Sequence, residues 1–514
     1  MRAKGNKVVR SMLFIVSMVV VLAVCAGAAH AARVAEQVIV LTGSDASTFD
    51  PHFCFDSATE LFNKNIYSNL TRFNVGMQIE PSLALSWSTS GDGLQWTFNL
   101  RPDVKFHDGT NLTAHDVKAS FERILNPDTG SPRRSVLIAI REVEVKDDLT
   151  VVLHTNYPTG ALPQQLAHPA AAVISKAALE VYGKELGRNP VGSGPFKLKE
   201  WKIGEEIVLE RFENYYAGAP MVQTVYFRVV PEDSVRAMLL QAGQADIALW
   251  LPVSEVQRLS ADPNIKTLEV VSVMTHYYAL NCTKPMLNDV RVRQALNYAL
   301  DVDLIVDHIL EGQGEVADAP LSKLTWGYSS TKKYPYDLEK AKALLAEAGY
   351  PNGIELELWH TVGRYLMDVQ INENVQAQWA KAGINVKLRQ WEFQALMEAV
   401  KEGVHDMVYL GWSPSTGDAD QALYATLHGS QWVPQSNRAL YKNDTVDKLM
   451  DDARVEIDPV VRADLYRQAI AIITEECPWV FMFWPKQVLM YRSNIDGLVL
   501  MPTEHLLLEG VTKQ

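Results

Sequence analysis

A regular succession of strands and helices between residues 354 and 410 determines the class of fold. Apolar residues alternate with charged ones at the start of this segment, as in a half-buried strand, and then recur at helical spacing. The pattern predicts a strand, a helix, a strand, a helix and a strand, at residues 354–358, 371–379, 384–388, 393–400 and 407–410, respectively. Strands that alternate with helices in this way indicate an α/β fold.

The last of these strands leads into a loop with the residue types of a ligand-binding site. The loop follows Trp412 and reads SPSTGDAD, a run of small, turn-forming and acidic residues that cannot extend a strand. Ligands bind outside the carboxyl ends of strands in α/β sheets, so Trp412, Asp418 and Asp420 predict a place for a small cationic or amine-bearing solute. The alternative is a capped turn, in which Asp418 and Asp420 cap a helix over 421–424.

Residues 1–31 have the pattern of a secretory signal peptide. Four basic residues precede an uncharged apolar run over 12–24, and Ala29 and Ala31 supply small side chains at the cleavage positions. The run is too short for a membrane span of about 20 residues, and no later segment is long and apolar enough to be one. We therefore expect an exported, soluble chain. A lipid anchor on Cys25 is an alternative, although Val24 is bulkier than the residue expected before a lipidated cysteine.

The net charge and the number of cysteines exclude some classes of partner and of fold. The formal net charge is −13, and removal of residues 1–31 would take away four basic residues and no acidic one, so the exported chain is more acidic still. An acidic surface argues against nucleic acid or anionic membranes as partners. Cys54, Cys282 and Cys477 would remain, and this odd set is no disulfide framework, although one bridge between two of them stays open.

The segment from Leu100 to Pro127 carries a family pattern. A half-buried strand over 95–100 is followed by turn residues, and Thr113 with Asp116 forms a capping-box pattern at the start of a helix. The sequence LRPDVKFHDGTNLTAHDVKASFERILNP closely resembles the signature block of the peptide- and nickel-type periplasmic solute-binding proteins that serve ATP-driven (ABC) importers. Four more blocks resemble the same family in the same order, at residues 190–216, 238–247, 281–301 and 336–353.

The resemblance implies a particular arrangement of domains. It implies a bilobal periplasmic-binding-protein fold of type II, cluster C, in which two lobes close over a solute and an extra domain is inserted in the first lobe. The implied divisions are a signal peptide (1–31), a first lobe (32–72, 193–278 and 494–514), an inserted domain (73–192) and a second lobe (279–493). The lobe crossings would lie near 278–281 and 493–497 and would absorb the closure motion. A monomer is expected.

The resemblance also implies which residues hold the ligand. Dipeptide binders of the family hold the amino end of the ligand with an Asp three residues after the loop Trp, and here that position is Ser415, which has no charge. Either Asp418 or Asp420 therefore takes over the amine, or the ligand is not a plain dipeptide. The motif GWSPSTGDAD resembles more closely that of the glutathione-binding members, whose ligand has a γ-linked amine and extra carboxylates.

Three further residues are candidates for ligand contacts, each with a structural alternative. Arg364 is the candidate for the ligand carboxylate, because a guanidinium pairs with a carboxylate through two parallel hydrogen bonds. The alternative is a solvated arginine at a helix start. Trp412 could stack on the ligand or pack in the core. Asn281, at a presumed lobe crossing, could bind the ligand backbone or form a turn.

Motifs of enzymes and of cofactor sites are absent from the sequence. There is no HExxH motif, no GxxxxGK[ST] phosphate loop and no GxGxxG fingerprint. The run Gly192-Ser193-Gly194 lacks the spacing of a nucleophile elbow. We therefore expect neither catalysis nor a bound cofactor.

The sequence as a whole favours a periplasmic protein that captures a short peptide, glutathione-like tripeptides above all, and delivers it to an inner-membrane permease with its ATPase subunits. Arg364 and the acidic loop would neutralise the ends of the peptide, and closure would bury it. One alternative is a carrier of nickel or a metallophore, for which His52 and Cys54, with Asp50 and Asp56 nearby, offer a weak mixed-ligand pattern. Another is a receptor that signals to a chemosensor or chaperones unfolded protein without import.

Overall fold

The computed structural model describes residues 36–54, 56–331 and 334–514. The predicted signal peptide and Cys25 lie outside these ranges. Within them, no helix has both the length and the apolar character needed to cross a membrane. Cys54, Cys282 and Cys477 are free thiols, so the disulfide left open by the sequence is not formed.

A 12-stranded mixed sheet runs through the described part of the chain and confirms the α/β class. Its strands are Gln37–Thr42, Phe196–Lys202, Glu206–Arg211, Thr224–Val229, Ile247–Leu249, Ile265–Val271, Thr275–Leu280, Gly314–Val316, Ile354–Thr361, Ile384–Trp391, Met407–Trp412 and Trp479–Arg492. In one part of the sheet Gln37–Thr42 is parallel to both of its neighbours, and in another Ile354–Thr361 is parallel to both of its own. Parallel pairs need crossover connections, and the intervening helices supply them.

One long strand, Trp479–Arg492, divides this sheet into two halves. Its C-terminal part pairs with Ile265–Val271, and we call the strands on that side the first half. Its N-terminal part pairs with Thr275–Leu280, and we call the strands on that side the second half. The two halves are therefore joined by a strand that both of them share.

The chain passes between the halves at two places. The long strand changes partners at Pro485 and Lys486, and the chain turns from one half to the other at 272–274. Both places lie a few residues before the crossings predicted near 278–281 and 493–497. The predicted limits of the lobes stay a prediction.

A separate four-stranded antiparallel sheet has a core of its own. Its strands are Ala84–Thr89, Gln95–Leu100, Ile140–Asp147 and Thr150–Thr155. Trp96, Phe98 and Leu100 are buried while their neighbours along the strand are more exposed, as the alternating pattern predicts. Phe121 of the helix Ala114–Leu125 belongs to the same apolar cluster. This sheet lies within the predicted inserted domain, whose limits are likewise a prediction.

Four of the helices begin at the capping residues that the sequence predicts. Thr113 and Asp116 form a capping box, and the carboxylates of Asp289, Asp301 and Asp337 accept backbone N–H groups of the helices that they precede. The α-helices are Ser57–Ile66, Ala114–Leu125, Leu162–Ala167, Lys176–Tyr182, Asp233–Gln241, Val253–Leu259, Val290–Tyr298, Val302–Leu304, Leu338–Glu347, Asp368–Ala380, Phe393–Val400, Ala425–Leu427, Asp444–Val455 and Pro459–Glu476. Shorter or wider helical turns are Pro127–Thr129, Arg134–Leu137, Pro169–Ala171, Gly183–Gly187, Ile305–Ile309, Asp420–Tyr424 and Gly429–Gln431.

The strand before the candidate loop is longer than predicted. The prediction ends it at Leu410, whereas the strand continues to Trp412 because Gly411 and Trp412 pair with the neighbouring strand Thr275–Leu280. The loop therefore starts at Ser413.

Candidate functional site

A cavity of about 800 Å³ lies between the two halves of the sheet. Residues 60, 133, 169, 233, 250–252 and 503–505 border it together with residues 274, 276, 313, 363–367, 411, 413 and 415 of the second half. Residues 485–488, where the long strand changes partners, also belong to the wall. Small-molecule sites in proteins measure about 300–1,000 Å³, so this cavity has the size of a ligand-binding site.

Arg364 lies in the wall of this cavity, in the loop after the strand Ile354–Thr361. Its guanidinium carbon is 4.7 Å from the ring centre of Phe393 and 5.5 Å from that of Tyr365. At such distances a cation is attracted to the face of an aromatic ring. No carboxylate in the described ranges forms an ion pair with Arg364. The phenol of Tyr365 accepts a hydrogen bond from the Arg364 side chain, and a guanidinium has five N–H donors, so others remain for a ligand.

Asp368 orders the loop that carries Arg364. Its buried carboxylate accepts hydrogen bonds from the backbone N–H groups of Gly363, Arg364 and Tyr365, at 3.1, 3.0 and 3.3 Å, and from the hydroxyl group of Thr361 at 3.2 Å. The sequence interpretation does not include Asp368. The signal that could have found it is an acidic residue a few positions after a glycine at the start of a helix.

Ser415 borders the cavity at the position that the family resemblance assigns to the ligand amine. The side chain of Gln421 fixes the loop around it. Its oxygen accepts hydrogen bonds from the backbone N–H and the hydroxyl group of Thr416, at 2.8 and 3.0 Å, and its nitrogen donates to Ser415 Oγ at 3.1 Å. The loop therefore presents a hydroxyl group, not a charge, to the cavity.

Asp418 and Asp420 do not border the cavity. Asp418 is fully buried, and its two oxygens accept hydrogen bonds from Arg462 at 2.8 and 2.6 Å. It also accepts the backbone N–H of Asp420 at 2.9 Å, which agrees with the capping alternative. Asp420 pairs with Arg454 at 2.9 Å; burial raises its pKa, and Arg454 acts in the opposite direction. Both carboxylates have partners inside the protein. We therefore do not propose that one of them receives the ligand amine.

Trp412 and Asn281 are also outside the cavity wall. The indole N–H of Trp412 donates to the backbone oxygen of Gln421 at 3.1 Å, and its ring packs on the core of the second half. The amide of Asn281 is buried and donates to the backbone oxygens of Gly403 and His405, at 3.0 and 2.8 Å. The geometry of both residues matches the structural alternatives stated for them.

A cluster of ionisable residues that the sequence interpretation missed, Glu60, Arg133 and His505, borders the cavity opposite the second half. Glu60 Oε1 is 2.8 Å from Arg133 Nη2, and Glu60 Oε2 is 3.5 Å from Nε2 of His505. Burial alone would raise the pKa of Glu60, but the neighbouring His505, His168 and Arg133 lower this pKa to about 2. These residues are far apart in sequence, so no local pattern predicts the cluster.

The residues of the nickel alternative have structural partners. Arg123 donates hydrogen bonds to Asp50 and, at 2.9 Å, to Nδ1 of His52. The thiol of Cys54 donates to the backbone oxygen of Asp56 at 3.6 Å, and burial raises its pKa to about 12, which disfavours the metal-binding thiolate. Within the described ranges, no three or more His, Cys, Asp or Glu side chains are grouped so that they could hold a metal ion.

Comparison with known sequences identifies similar proteins over nearly the whole chain. Residues 78–433 match the family described as "Bacterial extracellular solute-binding proteins, family 5 Middle". The chain is 34% identical over 475 residues to the glutathione-binding protein GsiB of Pectobacterium atrosepticum, and the alignment covers 91% of this chain and 92% of that protein.

Solved structures are also similar to nearly the whole chain. HbpA2 from Haemophilus parasuis superposes with a TM-score of 0.84 at 30% sequence identity, covering 93% of this chain and 100% of that chain. The periplasmic binding protein DppA from Helicobacter pylori, solved in complex with the peptide STSA, superposes with a TM-score of 0.76 at 30% identity, covering 93% and 98%. The similarity therefore includes both halves of the sheet.

Proposed function

Because the chain belongs to family 5 of the bacterial extracellular solute-binding proteins, we propose that it captures short peptides, with glutathione favoured, for an ATP-driven importer. The family predicted from the five sequence blocks is confirmed. One observation carries the proposal for the site: Arg364 stands in the wall of a cavity between the two halves, with no ion-pair partner in the described part of the chain. A guanidinium in this position suits the carboxylate of a peptide.

The preference for glutathione rests on the loop after Trp412. Ser415 brings no charge to the cavity, and Asp418 and Asp420 are engaged with arginines inside the protein. A ligand whose α-amine must be neutralised at this loop is therefore disfavoured. Glutathione carries its amine on a γ-linked residue, away from the position of a dipeptide amine, and a relative that is 34% identical over most of the chain is named a glutathione-binding protein.

Capture would draw the two halves together. The carboxylates that border the cavity, Glu60, Asp233 and Glu504, lie outside the second half, which contains Arg364. A ligand that binds Arg364 through a carboxylate and reaches these residues would therefore contact both sides. Binding energy shared between two bodies favours the closed arrangement over the open one.

The partners follow from this proposal. We expect delivery to a permease of the inner membrane and its ATPase subunits, from a monomer located in the periplasm. The relatives are named as binding proteins, so we assign the chain no catalysis. We do not propose the nickel alternative, because Asp50 and His52 bind Arg123 and the thiol of Cys54 donates to the backbone oxygen of Asp56.

Thermal unfolding of ligand-stripped residues 32–514 tests the ligand class. Samples would contain glutathione, di- and tripeptides, longer peptides or a nickel salt. A ligand at 100 times its dissociation constant adds about 2.7 kcal/mol to the free energy of unfolding and so raises the unfolding temperature. We expect glutathione to raise it in this way. A shift with nickel alone, or no shift with any member of the panel, would contradict the proposal.

A further inference from the structure

His276 is a buried polar residue in the wall of the cavity that the sequence interpretation does not include. Its side chain is part of the cavity wall, the residue is only 4% exposed, and its Nδ1 has no hydrogen-bond partner in the described part of the chain. At least about 90% of buried polar groups in proteins have a partner, so an unpaired one requires an explanation.

The sheet places the imidazole of His276 beside Gly411, a residue with no side chain. His276 lies opposite Gly411 on one side and Phe483 on the other, and the register with the long strand shifts between His276 and Tyr277. Such bulges redirect side chains and are frequent beside functional sites. A Cβ atom at Gly411 would lie 3.2 Å from Cε1 of His276 and 3.1 Å from Sδ of Met274, so any larger residue would crowd the imidazole.

Aromatic rings hold the imidazole in place. Its ring centre is 4.8 Å from that of Phe483 and 5.5 Å from that of Tyr409, both nearly parallel, and 4.9 Å from that of Tyr365, which meets it edge to face. A ring fixed on three sides loses little freedom when a ligand binds to it.

Burial and a neighbouring positive charge keep His276 neutral in the free protein. The titratable and charged groups that face it are Arg364 and the phenols of Tyr365 and Tyr409. Burial, and after it the positive charge of Arg364, lower the pKa of His276 to about 3, and no carboxylate opposes them. A neutral imidazole carries one N–H donor.

We propose that His276 and Arg364 form a carboxylate-recognition pair, in which the imidazole donates a hydrogen bond to the C-terminal carboxylate of the ligand beside the guanidinium. This inference rests on the proposed function and names the end of the peptide that lies here. A carboxylate accepts hydrogen bonds and carries the charge opposite to that of Arg364, so it matches the guanidinium and the imidazole N–H, whereas the guanidinium would repel an ammonium group.

The test is a calorimetric titration of the unaltered protein and of His276→Phe with two ligands. One is glutathione, and the other is glutathione with its glycine carboxylate converted to an amide. Phenylalanine keeps the aromatic contacts and removes the donor. We expect His276→Phe to weaken glutathione binding by about 10- to 100-fold, since a hydrogen bond to a charged group is lost. His276→Phe should weaken binding of the amide less than binding of glutathione, because the amide oxygen accepts only a neutral hydrogen bond from the imidazole.

Two further measurements separate ligand recognition from a structural role. Ligand-free His276→Phe should unfold at the same temperature as the unaltered protein or higher, because the substitution removes an unpaired buried polar atom. Gly411→Ala, which keeps the imidazole and every charge, should weaken glutathione binding by crowding the space beside it.

Each contrary outcome has its own meaning. An unchanged affinity of His276→Phe for glutathione would overturn the inference and leave the proposed function standing. Equal weakening for glutathione and for its amide would overturn the assignment of the carboxylate. Absence of glutathione binding by the unaltered protein would overturn the preference for glutathione within the proposed function, and with it this inference about the glutathione carboxylate.

Discussion

A buried ion pair fixes the loop that presents Ser415 to the cavity. Asp418 and Arg462 are both almost inaccessible to solvent and form two hydrogen bonds. The guanidinium of Arg462 also lies 4.3 Å from the ring centre of Trp326, whose backbone hydrogen-bonds to Gly417 and Ala419. At the scale of single residues, Asp418 therefore fixes the conformation of the loop and does not border the cavity.

Substitution of Asp418 distinguishes this support from ligand binding. Asp418→Asn keeps the shape of the side chain but leaves Arg462 buried without its counter-charge, which costs about 3–5 kcal/mol in the free energy of unfolding. Urea unfolding measures this change. Asp464→Asn is the control, because Asp464 pairs with Arg467 at 2.6 Å on the exposed face of the helix Pro459–Glu476, which also carries Arg462. This substitution should lower the free energy of unfolding by less than about 1 kcal/mol. Weaker glutathione binding with unchanged stability in Asp418→Asn would instead indicate that Asp418 binds the ligand.

At the scale of elements, the loop between the strand Ile354–Thr361 and the helix Asp368–Ala380 is ordered before any ligand arrives. Three consecutive backbone N–H groups converge on the carboxylate of Asp368. Gly363, with φ of 74°, and Met367, with φ of 54°, both adopt left-handed backbone angles, which holds the loop in a tight turn. The position of Arg364 thus depends on a residue that does not border the cavity.

Asp368→Ala should weaken glutathione binding about tenfold, because the ligand must then also order the loop. Loss of a negative charge near Arg364 would, by charge alone, strengthen the binding of an anion, so the direction of the change is decisive. Calorimetric titration measures it. Asp337→Ala, which removes a similar cap from the remote helix Leu338–Glu347, should leave the dissociation constant unchanged. Tighter binding by Asp368→Ala would contradict the ordering role.

Contacts that are local in sequence could be predicted, and those between distant residues could not. The strand at 95–100, the Thr113 capping box and the cap at Asp289 depend on neighbours within a few positions. The partner of Asp418 is 44 residues away in sequence. The sequence pattern of an acidic loop is the same whether its carboxylates face the solvent or pair with a buried arginine. Arg364 could be selected only through the family resemblance, because an exposed arginine after a strand has no distinctive local pattern.

At the scale of the whole molecule, the strand Trp479–Arg492 is shared by the two halves, and we expect it to let them move while they remain joined. Pro485, at the change of partners, has no backbone N–H and interrupts the hydrogen-bond ladder, which favours bending there. Residues 485–488 also border the cavity. A ligand between the halves would therefore contact the segment about which we expect them to close.

Calorimetric titration of glutathione into Arg364→Met and Arg389→Met decides whether the cavity captures its ligand through Arg364. Arg389 is the matched control: it is exposed, its guanidinium carbon lies 4.5 Å from the ring centre of Trp391, and it is outside the cavity wall. We predict that Arg364→Met weakens binding at least about 30-fold, equivalent to about 2 kcal/mol, and that Arg389→Met binds like the unaltered protein. Equal dissociation constants for the two variants would contradict capture through Arg364.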